Sequence, residues 1–371
     1  MTDSGVFARV PDPSSLGVLP RARTVSPDTV VSMAGRVGKT LWGVFSTLIV
    51  LALIAAAGFA YLQRQNISDH FAAQSFEPSQ EMSELTDRLM LTDTGRRVFF
   101  ATHPTLEASQ LFNEQCADVD HSEDGHILGC YTRDSIHLFK VTDERLNGIV
   151  EVTAAHELLH AAWARLGDGE RSALVASLTR LYEELAEEDH ELADRMSVYS
   201  ELSEDAFANE LHSVLGTEVR ELPDWLEAHY ARWFEDRLLI IDFFDAYHEV
   251  FAQIQARADE LQSQLTALRE SIEARSDDYD AALTQFNADV DDFNRRNAAY
   301  EFSGNVDEYW RLRGELEARS SALSAERESI QADIDRYEQM RQELAELSDK
   351  NAELNQQLDS NLAPPPTPDG V

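Results

Sequence analysis

A stretch from Asp224 to Phe302 that contains neither proline nor glycine constrains the fold of this chain more than any other feature. Its apolar residues recur at alternating intervals of four and three, which is typical of the seam between helices in a coiled coil. The first of these residues are Leu261, Leu265, Leu268 and Ile272. The pattern predicts a very long helix.

A second apolar seam follows a break at Ser303–Asn305 and continues to Leu358. Two long helices joined by a short turn fold back on each other, so the sequence predicts an antiparallel coiled-coil hairpin over residues 238–361. Such a hairpin is a spacer, a docking element for an envelope protein partner, or a site of pairing with a second chain. The proline-rich tail 362–371 cannot continue a helix, and we expect it to be disordered.

An uncharged apolar run occupies residues 41–62, and at 1.5 Å per residue it spans about 33 Å, the thickness of a bilayer core. It predicts a transmembrane helix, since a cleaved signal peptide has a shorter apolar region. Basic residues before the run outnumber those after it, which places residues 1–40 in the cytoplasm as a disordered tail. Residues 63–84 then form a juxtamembrane stalk, and the main domain lies outside the cell membrane.

Composition excludes some classes of function. The chain has 371 residues and a formal net charge of -37, and basic clusters able to bind phosphate are missing from its sequence. Nucleic acid is therefore not an expected partner. The acidic excess also disfavours flat binding to an anionic membrane surface. A hydrophobic content of 43% is sufficient for a buried core.

The two cysteines, Cys116 and Cys130, both follow the apolar run. In an extracytoplasmic domain an even pair at short separation predicts a disulfide, whereas two buried free thiols are the alternative.

Between the stalk and the long helices, the sequence pattern of residues 85–237 predicts a small α+β domain that is mostly helical. We expect strands at Val98–Ala101 and Ser135–Val141 and a helix at Leu106–Cys116. The strand at Ser135–Val141 is a core strand or an exposed sheet edge that could pair with an extended peptide.

The sequence VTAAHELLHAAW carries the chemistry. On a helix, His156 and His160 lie on the same face, so both imidazoles can bind one zinc ion. Glu157 can then take a proton from a water molecule that the zinc has acidified. The alternative is a pair of histidines at the edge of a core, with Glu157 in solvent. The small apolar flanks favour a buried ligand helix.

A third ligand must come from elsewhere, because Trp163 and Leu166 stand where a continuation of the motif would need glycine and histidine. Glu210 lies on the inward face of a later predicted helix and is the preferred ligand, with Glu204 and Asp205 as rivals. Four further residues are candidates for orienting ligands or stabilising an oxyanion: Asn209, His212, Glu218 and, more weakly, Tyr199.

The HELLH motif, followed by FANE some fifty residues later, resembles the zincin metallopeptidases of the glutamate-ligand type, the gluzincins. The wider run from LGCY to NELHSVLGTE is similar to uncharacterised membrane-anchored bacterial proteins. The resemblance covers residues 85–240 and implies that His156, His160 and Glu210 bind zinc while Glu157 is the general base. Val214 departs from it, since the family carries an acid there.

These features predict a membrane-anchored zinc metallopeptidase that cleaves peptides or proteins outside the cytoplasmic membrane. Two alternatives stay open: a non-catalytic envelope scaffold that acts through the coiled coil, and an amidase that acts on cell-wall peptide.

Overall fold

The computed structural model describes residues 48–61, 63–117 and 127–361, and within them the chain is mostly helical (78%) with one small sheet. An α+β, mostly helical fold is therefore confirmed. The helices are α1 (Leu48–Tyr61), α2 (Arg64–Ser75), α3 (Gln80–Arg88), α4 (Asp93–Ala101), α5 (Ser109–Gln115), α6 (Ile149–Ala164), α7 (Asp168–Leu185), α8 (His190–Ser197), α9 (Glu204–Thr217), α10 (Asp224–Tyr230), α11 (Arg237–Ala298) and α12 (Val306–Leu358).

The sheet has three short strands in the order β1-β3-β2, namely β1 (Thr105–Glu107), β2 (Gly129–Thr132) and β3 (Ser135–Phe139). β3 is parallel to β1 and antiparallel to β2, and Cys130 pairs with His137. Arg133 and Asp134 connect β2 to β3 with positive φ angles of 51° and 61°, as a two-residue turn between twisted strands requires. The strand predicted at Ser135–Val141 is thus present, and it lies in the centre of the sheet.

The strand predicted at Val98–Ala101 is wrong, because these residues end helix α4. Thr92 begins that helix by accepting a hydrogen bond from the Gly95 amide at 3.0 Å. Val98 and Phe99 lie on the buried face of this helix, so the sequence has a short apolar run at this place. A short buried strand would show the same run. The helix predicted at Leu106–Cys116 also begins later, since Leu106 belongs to β1.

Helix α6 lies at the centre of the core. It packs against α4, α9, α11 and two strands of the sheet. Ala154, Ala155 and Ala161 are fully buried, and small side chains allow its neighbours to approach closely.

Part of segment 63–84, predicted as a stalk, contacts the domain. Asp69 in α2 is buried and receives two hydrogen bonds from Arg165, at 2.9 and 3.0 Å, just after the end of α6. In α3, Met82 and Leu85 are buried in the main core.

The prediction of one continuous helix from Asp224 is also wrong. α10 ends at Tyr230 and α11 begins at Arg237, because the intervening residues pair with the chain before α4. The Thr92 amide donates to the Trp233 carbonyl at 2.9 Å, and the Glu235 amide donates to the Met90 carbonyl at 2.8 Å. These long-range hydrogen bonds override a local sequence that favours helix.

Helices α11 and α12, called here the long helix pair, have 62 and 53 residues. The break predicted at Ser303–Asn305 is confirmed: a 3-10 turn at Glu301–Gly304 separates them, and Asn305 caps α12. Three ion pairs join the two helices. Their residue numbers decrease along α12 as they increase along α11, so the two helices run antiparallel. The ion pairs are Arg257–Glu343, Arg275–Glu326 and Asp289–Arg319.

Among the described residues, no single helix is long and apolar enough to cross a membrane, whereas Leu48–Tyr61 and Arg64–Ser75 pass that test together as a bent pair. Most predictions for the termini lie outside the described residues: the tail 1–40, the first residues of the run 41–62, and the tail 362–371.

The disulfide Cys116–Cys130 is confirmed. It connects the residue after α5 to strand β2, and both cysteines are buried with Phe112 and Phe139.

We expect the double variant Cys116→Ser/Cys130→Ser to lose about 3 kcal/mol in free energy of unfolding, because a crosslink over 14 residues restricts the unfolded chain. Urea denaturation with and without reductant measures this. Reductant should lower the midpoint of the wild type to that of the variant and leave the variant unchanged. An equal midpoint for oxidised wild type and variant would contradict the prediction.

Candidate metal centre

The first two candidate ligands lie on α6, whose position is set at its N-terminus. Gly148 precedes the helix with a φ of 104°, a conformation that favours glycine. A Cβ at this position would also lie 2.8 Å from the carbonyl oxygen of Phe243 in α11. α6 therefore begins in direct contact with the long helix pair, and one helical turn separates His156 from His160 further along.

The third candidate ligand comes from α9. Ser203 begins this helix by accepting a hydrogen bond from the Ala206 amide at 3.3 Å. Leu211, Val214 and Leu215 are fully buried, which holds the helix against α6. Glu210 is thereby turned toward the two histidines.

The three side chains converge. Oε2 of Glu210 lies 3.7 Å from Nε2 of His156 and 3.5 Å from Nε2 of His160. One ligand atom from each residue lies within 4.8 Å of the others. The rivals Glu204 and Asp205 are exposed in the first turn of α9 and do not belong to this cluster.

This geometry fits a metal ion. Two ligand atoms that each bind a tetrahedral zinc at about 2.0–2.1 Å lie about 3.4 Å apart, close to the carboxylate–imidazole distances observed here. The side chains are only 11–19% exposed. A buried carboxylate facing two imidazoles needs a shared cation, which is a proton on the histidines or a metal ion.

The charges at the centre favour a cation. Burial lowers the pKa of His156, but the adjacent Glu210 carboxylate and the charges of Glu157 and Glu218 outweigh it, so that the net pKa is raised. Burial raises the pKa of Glu210, and the two histidines together with Arg195 reverse this and lower it. The cluster therefore keeps its carboxylate ionised in a partly buried position.

Ser213 orients one ligand. Its Oγ lies 3.4 Å from Nδ1 of His160, and such a contact to the far ring nitrogen leaves Nε2 to face Glu210. Sequence reasoning missed Ser213, although its place three residues after Glu210 puts both on one face of α9.

The predicted base Glu157 lines a cavity of about 250 Å³ together with His156, His160 and Glu210. It is 7% exposed. Strand β2 passes close to it, and a Cβ on Gly129 would lie 2.9 Å from both Cγ and Oε1 of Glu157. A side chain at position 129 would therefore force Glu157 to shift, and glycine suits the place where the strand crosses it.

Three of the other four candidates, Tyr199, Asn209 and Glu218, line the same cavity. His212 lies instead in the core behind the centre, with its Nε2 2.9 Å from Nε2 of His229. Burial and the neighbouring His229 hold the pKa of His212 well below its usual range, so the ring is neutral.

The cavity also contains residues that the sequence did not indicate. Arg195 of α8 lies 3.5 Å from the Glu218 carboxylate. Tyr247 comes from α11, and burial raises its pKa well above the usual range, so that it remains a hydroxyl donor. Spacing within the HELLH motif could not reveal a contribution from so distant a segment.

The sheet edge nearest the centre is β2, whereas β3 has a neighbour on both sides. The alternative of a core strand for Ser135–Phe139 is therefore the correct one.

Comparisons with protein-family models, with curated proteins and with solved structures found no match for this chain.

We expect Glu210→Gln to weaken binding of added zinc more than Ser213→Ala does, because the first change removes a ligand atom. Ser213→Ala should weaken it roughly 10- to 100-fold, the usual cost of losing an outer hydrogen-bond partner. Competition with a chromophoric chelator measures both affinities.

Glu204→Gln and Asp205→Asn are the matched controls, since both residues are exposed on the same helix. Their affinities should equal that of the wild type. A loss in either control as large as that in Glu210→Gln would contradict the assignment of the third ligand.

Proposed function

We propose that this chain is a zinc-dependent metallopeptidase that hydrolyses peptide bonds. The observation that carries the proposal is the convergence of His156, His160 and Glu210 in one cavity with Glu157. Two imidazoles and one carboxylate are a donor set that suits zinc and leaves a coordination position open.

A zinc ion bound by these residues would act as a Lewis acid that polarises a carbonyl and lowers the pKa of water. Glu157 accepts a proton from the attacking water molecule, for which its place in the same cavity is suited. The protonated carboxyl then donates that proton to the leaving amine nitrogen. Tyr199 and Tyr247 line the cavity, and we assign the hydroxyl of one of them to the developing oxyanion. The other two hydroxyls of the lining already donate elsewhere, Tyr131 to Asp134 and Thr153 to the Ile149 carbonyl.

We also propose that residues 41–62 anchor the chain in a membrane, with the main domain outside. The disulfide Cys116–Cys130 supports this orientation, because such bonds persist in oxidising compartments. The large apolar side chains of α1, which lies within this run, are exposed, as those of a lipid-facing helix would be.

A scaffold protein is the second candidate, and the long helix pair favours it. Leu261, Leu265 and Met340 are buried between the two helices, as the seam of an antiparallel coiled coil would require. A protein of this class would act by binding a partner and would need neither metal nor Glu157.

We expect Glu157→Gln to lose roughly 10²- to 10⁴-fold in peptide hydrolysis while it retains zinc, because the amide cannot accept the proton. The measurement pairs elemental analysis of the purified full-length protein with turnover of a quenched-fluorescence peptide library.

The control variant is Glu204→Gln, an exposed acid outside the cavity, which should match the wild type in both measurements. Undiminished hydrolysis by Glu157→Gln would refute the mechanism. A wild-type protein free of metal under zinc-replete conditions would favour the scaffold.

A further inference from the structure

A second and larger cavity, of about 520 Å³, adjoins the metal centre. The two cavities share a wall of five residues, and Tyr247 is the one that belongs to the long helix pair. The shared residues are Leu128, Ile149, Arg195, Glu218 and Tyr247. A peptide bound at the metal centre therefore has a neighbouring pocket within reach of its side chains.

The long helix pair builds one side of this second cavity. α11 contributes Phe244, Tyr247 and His248, and α12 contributes Leu358. The ring of Phe244 stacks on His248, with centroids 5.1 Å apart, and meets Tyr247 edge-on at 5.5 Å. The base of α11 thus presents an aromatic surface.

The helix pair is fixed at this place. Leu354 and Leu358, near the end of α12, are buried against Ile149 at the start of the metal-binding helix α6. Arg145 donates to Glu353 at 2.8 Å, and the contact of Gly148 with α11 lies beside it. A wall with this packing holds a constant distance from the metal centre.

The lining favours an apolar ligand. Leu192, Val219, Phe244 and Leu358 offer hydrocarbon surface. Most of the polar groups around them have partners: Arg195 pairs with Glu218, Glu191 pairs with His248 at 2.8 Å, and Asp189 caps α8. The carboxylate of Asp194, which also lines the cavity, is exposed to solvent. Binding in such a pocket comes chiefly from burial of apolar surface.

We propose that the base of the long helix pair forms the specificity pocket of the proposed peptidase, and that this pocket binds a bulky apolar side chain next to the scissile bond. The inference rests on the proposed function, because it takes the metal centre as the site of cleavage. It makes Phe244 a specificity-determining residue and gives the long helix pair a part in substrate selection.

The test uses the full-length protein loaded with zinc and matched peptides that carry Phe, Leu or Ala at one position of a cleaved sequence. The wild type should prefer Phe and Leu over Ala. Phe244→Ala should reduce the preference by about 10-fold in kcat/KM, since it removes apolar contact with the large side chains. Val219→Phe fills the pocket and should shift the preference toward Ala.

Leu268→Ala is the matched control. It lies in the same helix and in the apolar contact between the two long helices, away from both cavities. It should keep the wild-type preference, and circular dichroism with thermal melts compares the folding of all variants. Equal preferences in Phe244→Ala and Leu268→Ala would overturn the proposal.

A second readout separates this proposal from the proposed function. Fluorescence anisotropy of the same peptides on zinc-loaded Glu157→Gln protein reports binding without turnover. One outcome would refute hydrolysis and still support the pocket. In it the wild type cleaves no peptide, binding to Glu157→Gln decreases from Phe to Leu to Ala, and this order of affinities is lost in Glu157→Gln/Phe244→Ala. Binding that ignores the side chain would overturn the pocket.

Discussion

The ion pair network between one carboxylate and two imidazoles is the interaction on which the rest of this structure depends. Glu210 is partly buried beside His156 and His160, with its side chain 19% exposed, and a carboxylate withdrawn from water without a cationic partner would destabilise the fold. The distance and orientation between the two helices that carry these residues can therefore vary little. Fully buried side chains on α6 and α9 hold them in contact, so that the core and the candidate metal centre are one packing arrangement.

Sequence periodicity predicted those parts of the metal centre whose residues lie within one helical segment. The spacing of His156 and His160 and the inward face of α9 led to three side chains that the structure brings together. Periodicity could not reveal what long-range contacts decide. The pairing of Trp233 with Thr92 interrupts a helix that every local signal favours, and the apolar face of α4 resembled a strand. Likewise, Tyr247 enters the cavity from a segment more than eighty residues after Glu157.

The long helix pair shows why composition alone leaves such an element ambiguous. Its exposed surface and apolar seam are those of a spacer. The end that touches the domain is different, because Leu354 and Leu358 are buried against the start of α6 while Phe244 and Tyr247 line the second cavity. A helix pair attached in this way cannot move without disturbing the cavity walls, so the two ends of the element have separate physical roles.

The disulfide acquires a similar double role from its position. Cys130 follows Gly129, where an added Cβ would clash with Glu157, and it joins β2 to the end of α5. β2 is an edge strand with only one neighbour to fix its register. A crosslink at the residue next to Gly129 supplies a second restraint on the strand that borders the metal centre. Oxidation of the two thiols therefore bears on the geometry around Glu157 as well as on the stability of the domain.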